Sequence, residues 1–117
     1  DGLDELTTTT TTQVYEVTRG RVRHFEVCPE DAGLGRVDLS ELQTTDGSGI
    51  TALFHQSLSS GASAAKDIVM LNAAASMVVV GRVADLRAGV DLARETIDSG
   101  APLQKLQALA KLSQTLK

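Results

Sequence analysis

The sequence predicts an α/β fold, short strands or a hairpin followed by a helical segment, on two observations. Gln13-Val-Tyr-Glu-Val17 and Val22-Arg-His-Phe-Glu-Val27 are β-prone runs on either side of Thr18-Arg19-Gly20-Arg21, whose glycine permits the reversal of a hairpin. Beyond Gly61 the apolar residues recur at helical spacing. Residues 1–61 are therefore expected to form strands and loops, and residues 62–117 helices. A two-stranded hairpin is marginal alone, so these strands are expected at the edge of a larger sheet completed from elsewhere.

The first element is the run of six threonines from Thr7 to Thr12, whose β-branched side chains favour an extended chain. In the hairpin, Tyr15, Val17, Phe25 and Val27 supply the apolar side chains, while Glu16, Arg23, His24 and Glu26 are read as the wetter positions. Pro29 ends the second run, and Glu30 to Gly35 reads as a loop turning at each glycine. Asp38 can cap a single helical turn to Leu42, and a loop from Thr44 to Gly49 leads to a short helix over about Thr51 to Ser59.

Three helices should follow. Ala64 to Val80 is apolar around most of its circumference, which predicts a buried helix, and Gly81 stands where a terminating glycine belongs. Val83, Leu86, Val90, Ala93 and Ile97 then form the stripe of an amphipathic helix ending near Gly100. Pro102 suits the first turn of the last helix. Its stripe of Leu103, Leu106, Leu109, Ala110 and Leu116 should pack on the others, with Lys105, Lys111 and Lys117 outside.

Composition narrows the function classes. With 117 residues, 42% of them hydrophobic, the chain can bury one modest core, and a formal charge of −4 gives no support for nucleic-acid binding. No apolar run reaches the length of about 18 residues that suggests a membrane span, and no basic-then-apolar leader is present, so a cytoplasmic protein is expected. Cys28 is the only cysteine, which excludes an intrachain disulfide; at the end of an apolar run it reads as a small buried hydrophobe. His24 and His55 lack a second ligand at metal spacing and read as strand and helix surface residues.

The adjacent carboxylates Asp4 and Glu5, in Asp1-Gly-Leu-Asp-Glu-Leu6, have two readings. In a turn both can face one hard cation such as magnesium, which takes oxygen ligands and keeps several waters; the alternative is a solvated turn. Asp1 can accept a water from the same ion or simply form the turn before Gly2. Asn72 falls within the apolar helix, where a buried amide needs partners, so it should tie that helix to a neighbouring loop. Gly47-Ser48-Gly49 before a helix can cradle a phosphate with backbone amides, though the match is short.

Asp1-Gly-Leu-Asp-Glu-Leu6, Pro29-Glu-Asp-Ala-Gly-Leu34, Leu71-Asn-Ala-Ala-Ala75 and Ala93-Arg-Glu-Thr-Ile-Asp-Ser-Gly100 follow the order and approximate spacing seen in anthranilate phosphoribosyltransferases. Over its whole length the chain resembles the C-terminal portion of that family, the C-terminal part of a glycosyltransferase-family-3-like α/β domain. The resemblance implies transfer of the phosphoribosyl group from phosphoribosyl pyrophosphate to anthranilate in tryptophan biosynthesis, with magnesium on the pyrophosphate. It maps the metal pair onto Asp4 and Glu5 and implies a homodimer of the complete enzyme. Thr44-Thr45 and Ile50-Thr51 depart from the pattern, where a Gly-Gly and an Asn-Ala are usual.

The family's glycine-rich donor loop is not in this sequence, and the chain opens on Asp1, so an N-terminal part of the same enzyme is the expected partner. The chain by itself is expected to be inactive. The competing reading is a non-catalytic homologue or assembly module on the same scaffold; a related nucleoside phosphorylase matches the last two motifs less well. Neither nucleic acid nor membrane is expected as a partner.

Overall fold

The computed structural model describes residues 1–116; Lys117, expected on the outside of the last helix, lies outside the described residues. Strands β1 (Thr12–Thr18) and β2 (Arg21–Val27) form an antiparallel hairpin in which Thr12 pairs with Val27 and Thr18 with Arg21. Only Arg19 and Gly20 connect them, at φ of 51° and 76°. Two consecutive positive φ angles match the right-handed twist of the flanking strands, and Gly20 takes one of them without strain.

That tight turn decides which side chains share a face. The register pairs Val14 with Phe25 and Tyr15 with His24, so alternation puts Val14, Glu16, Arg23, Phe25 and Val27 on the inner face. The expectation that Tyr15 and Val17 join Phe25 and Val27 is therefore wrong: both are exposed on the opposite face, beside Val22 and His24. There Tyr15 stacks on His24 with ring centroids 4.4 Å apart, and His24 Nε2 lies 2.6 Å from Gln13 Oε1. Glu16 and Arg23, expected on the wet side, instead pair at 2.8 Å on the inner face, with the guanidinium 4.5 Å from the Phe25 ring centroid.

Pro29–Ala32 forms a short 3₁₀ turn ended by Gly33 at φ 77°; Gly33 supplies the reversal, and Gly35 has no positive φ. The following chain sends Ala32 and Leu34 into the core. Leu39–Leu42 is the expected single turn, with the Asp38 amide donating to Glu41 Oε1 at 3.2 Å. Helix α1 (Gly47–Ser57) begins four residues before its expected start at Thr51. Asp46 is the reason: its carboxylate accepts the Gly49 amide at 2.6 Å and the Ser48 hydroxyl at 2.8 Å, so glycines read as loop become the first helical turn.

Those bonds hold the Asp46 carboxyl below the usual aspartate range, the Gly49 amide first and the Ser48 hydroxyl second. A lowered folded value means that the stabilisation is present above the ordinary aspartate value and is lost as pH falls through the lowered one. Amide exchange at Gly49 should accelerate across that acid window, and Asp46→Asn should remove the titration while keeping a cap. A Gly49 amide whose protection shows no pH step would count against the bond.

Helices α2 (Ala64–Val79) and α3 (Leu86–Asp98) carry the core. Ala32, Leu34, Met70, Leu71, Ala74, Val90, Ala93 and Ile97 form one buried cluster, with Leu6, Ala73, Met77 and Leu86 packed against it. Gly81 closes α2 as expected: its amide reaches Val78 O and the Arg82 amide reaches Met77 O, a Schellman closure at φ 70°. Burial is one-sided, however, and Val79 and Val80 are exposed where an all-round buried helix was expected. Val83 precedes α3, because Asp85 caps it through the Ala88 amide at 2.9 Å.

At Gly89 the backbone of α3 lies directly against Ala74 of α2. A Cβ there would stand 2.6 Å from Ala74 Cβ and 2.7 Å from Ala74 Cα, and a backbone atom cannot turn aside. Gly89→Ala should gain roughly 1 kcal/mol of helix propensity. Overpacking of about 1–3 kcal/mol should outweigh that gain and lower the urea midpoint. A midpoint equal to or above the wild-type value would show that the helices can separate freely.

Helix α4 (Ala101–Thr115) starts after Gly100, with Pro102 in its first turn as expected, but it does not pack down along its length. Leu103 and Leu106 are half-buried, whereas Leu109, Leu112 and Leu116 are 62%, 54% and 77% exposed. Every residue from 107 to 116 is exposed, Ala110 included, although seven residues bring it back to within about 20° of the Leu103 direction, so the second half of α4 runs past the layer that its first two leucines pack on.

Candidate functional site

The acid pair sits on the loop before β1, and that loop is held at several points. The threonine run is not the extended segment expected: residues 8–10 form a bend, Thr7 and Thr8 are buried, and only Thr12 enters the strand. Hydroxyls compete here with a ladder. Thr7 Oγ1 and Thr9 Oγ1 both reach Asp1 Oδ2 at 2.5 Å, and the Thr9 amide donates to Thr7 Oγ1 at 3.0 Å. The Thr7 amide donates to Thr12 Oγ1 at 3.2 Å, and Thr11 Oγ1 lies 3.3 Å from Cys28 Sγ. Cys28 is thus half-buried and in polar contact rather than a buried hydrophobe.

Asp1 accepts a third bond, from the Leu3 amide at 3.0 Å, so its carboxylate closes the loop on itself. This favours the turn-forming reading of Asp1 over the reading in which it binds an ion's water. Across the loop stands Asn72 of α2. Its Oδ1 accepts the Leu6 amide at 3.0 Å, and its Nδ2 donates to Leu6 O at 2.8 Å and Ile68 O at 3.0 Å. Asn72 therefore ties helix to loop, as expected of a polar side chain on this helix.

Between these two fastenings, Asp4 and Glu5 are exposed, and neither belongs to an ion pair among the described residues. Among the described residues no group of three or more His, Cys, Asp or Glu is close enough to hold a metal by itself. The donor set fits magnesium, which binds through one or two carboxylates together with water and substrate phosphates; it does not fit a dedicated protein cage. The structure brings Leu6 and Asn72 together beside the pair and places His24 and His55 elsewhere, both exposed.

Gly47-Ser48-Gly49 does not offer a phosphate cradle, because the Asp46 carboxylate already occupies the Gly49 amide. An open groove of ≈ 920 Å³ lies between the inner hairpin face and the α2–α3 junction, lined by Leu6, Val14, Phe25, Val78, Val79 and Leu86 among others. Its lining is mostly apolar but also carries Glu16, Arg23, Asp31, Asp85 and Arg87.

One ion pair with a buried lysine escaped the sequence reading. Lys66 Nζ meets Asp98 Oδ1 at 2.5 Å and lies 3.4 Å from Ser60 O; the lysine side chain is 5% exposed and the aspartate's 42%. A signal was present, since Lys66 stands four residues before Met70 and eight before Ala74, in a stripe that faces the core. Beside it, burial pushes the Asp67 carboxyl up, against the opposing pull of Arg94 and Lys66.

Hairpin, helical layer and fastened acidic loop together define part of an α/β domain. The chain belongs to the glycosyl transferase family, a/b domain, whose pattern matches residues 1–103. It is similar to the anthranilate phosphoribosyltransferase of Azorhizobium caulinodans, with 42% identity over 99% of this chain and 34% of the relative. Against that of Parvibaculum lavamentivorans the identity is 46% over 93% of this chain and 32% of the relative. Against that of Sinorhizobium medicae it is 42% over 97% and 34%. The chain spans about a third of the length of these curated relatives. Among the described residues no helix is long and apolar enough to cross a membrane.

Proposed function

We propose that the complete polypeptide carrying this chain transfers the phosphoribosyl group from phosphoribosyl pyrophosphate to anthranilate, a step of tryptophan biosynthesis. Asp4 and Glu5 hold the magnesium ion of the donor. The observation that carries the reading is an exposed acid pair, free of ion pairs among the described residues, on a loop fastened at Asp1 and Leu6, in a chain similar to three enzymes of that name. Bound magnesium supplies charge neutralisation for the departing pyrophosphate.

The chain's own contribution is placement. Asp4 and Glu5 present oxygens to the cation, Asp1 is spent on the Leu3, Thr7 and Thr9 donors, and Asn72 fixes the backbone next to Glu5. A cytoplasmic location and a homodimer belong to the same proposal. The test is the fall of anthranilate fluorescence when the complete polypeptide is mixed with phosphoribosyl pyrophosphate and magnesium. No consumption at any magnesium concentration would sink the reading and favour the non-catalytic alternative.

A further inference from the structure

We infer that Asn72 is a positioning residue for the metal-binding pair, setting metal affinity from α2 without touching the ion. The inference rests on the assignment of Asp4 and Glu5 proposed above. Its geometry is specific. The Asn72 amide takes both backbone groups of Leu6, the residue after Glu5, at 3.0 and 2.8 Å, and a third bond to Ile68 O at 3.0 Å locks the amide's orientation. The three bonds use the amide oxygen once and the Nδ2 group twice, once for each of its hydrogens.

Leu6 is pinned twice. Its side chain packs against the core cluster, and its peptide groups are held by Asn72, on a helix whose next-door residue Leu71 is fully buried. Two residues upstream of Leu6 the chain has no such anchor, since Asp4 and Glu5 are exposed. At the far end the Asp1 carboxylate gathers the Leu3 amide and the Thr7 and Thr9 hydroxyls. The acid pair therefore rides a short arc fixed at both ends before any ion arrives, so that ordering the arc is not charged against binding. Partners behind a ligand typically change metal affinity by about 10- to 100-fold when removed.

The test uses the complete polypeptide with manganese as the paramagnetic stand-in for magnesium, in the presence of inorganic pyrophosphate. Manganese affinity is read by electron paramagnetic resonance, and hydrogen exchange is followed at the Leu6 and Leu71 amides in metal-free protein. Asn72→Leu should weaken manganese by about tenfold and accelerate exchange at Leu6, with Leu71 still protected. Fast exchange at Leu6 with unchanged manganese affinity would overturn the inference, leaving Asn72 a purely structural tie. If Leu71 loses protection, Asn72→Asp replaces it, keeping an acceptor for the Leu6 amide without the donors to Leu6 O and Ile68 O. A weaker manganese affinity there supports the inference, and an unchanged one overturns it. Asp4→Ala with Glu5→Ala separates the two ideas: if that variant binds manganese normally, the metal assignment itself fails; if it loses manganese while the Asn72 variants keep it, only the role of Asn72 fails.

Discussion

Replacing Asp4 and Glu5 together by alanine should reduce magnesium-dependent turnover of the complete polypeptide by about 100- to 1,000-fold, the range seen when preorganised stabilisation of developing charge is removed. Stability should scarcely move. Both side chains are exposed and outside every ion pair among the described residues, and surface changes of that kind usually stay within about 0.5 kcal/mol. Denaturation and initial rates measured on the same preparation therefore separate a lost ligand from a lost fold. Wild-type rates at limiting magnesium would refute the assignment.

The second large effect is on stability. Asp98→Ala should destabilise the chain by about 1–3 kcal/mol, because the Lys66 ammonium, 5% exposed, loses its carboxylate and keeps the Ser60 carbonyl at 3.4 Å and the charge of Asp67. The opposite truncation is milder. Lys66→Met removes the buried charge and fills the same stripe as Met70 and Ala74, while the Asp98 carboxylate, 42% exposed, remains solvated. Urea denaturation of the two variants checks this asymmetry. Equal losses would show that the pair is worth only its mutual attraction, and a stable Asp98→Ala would mean that water reaches Lys66.

What the sequence disclosed follows from the range of the forces involved. Gly20, Gly81 and Pro102 act within a few residues, so the hairpin turn, the end of α2 and the start of α4 were all readable. Asn72 was readable too, since an amide among apolar neighbours must find partners, although Leu6 as the partner was not. The face of Tyr15 and Val17 was misread because Val17 pairs with Val22 and Tyr15 with His24, so odd-numbered residues of β1 share a face with even-numbered residues of β2 and not with Phe25 and Val27. The threonine run went wrong because its hydroxyls, and not its β-branching, decided the backbone. The Lys66–Asp98 pair joins residues far apart in the chain, and no local pattern fixed it. For Asp4 and Glu5, residue chemistry alone left the solvated turn open, and the family pattern supplied the choice.

The stacked rings on the outer hairpin face give this protein a built-in optical label. Tyr15 is the single tyrosine of a chain without tryptophan, and it lies against His24. Ultraviolet emission excited at the phenol band thus reports from one address only. Separation of the strands parts the rings, while loosening between α2 and α3 leaves them together. Emission and far-ultraviolet dichroism followed side by side on heating will tell whether hairpin and helices melt as one unit or in succession.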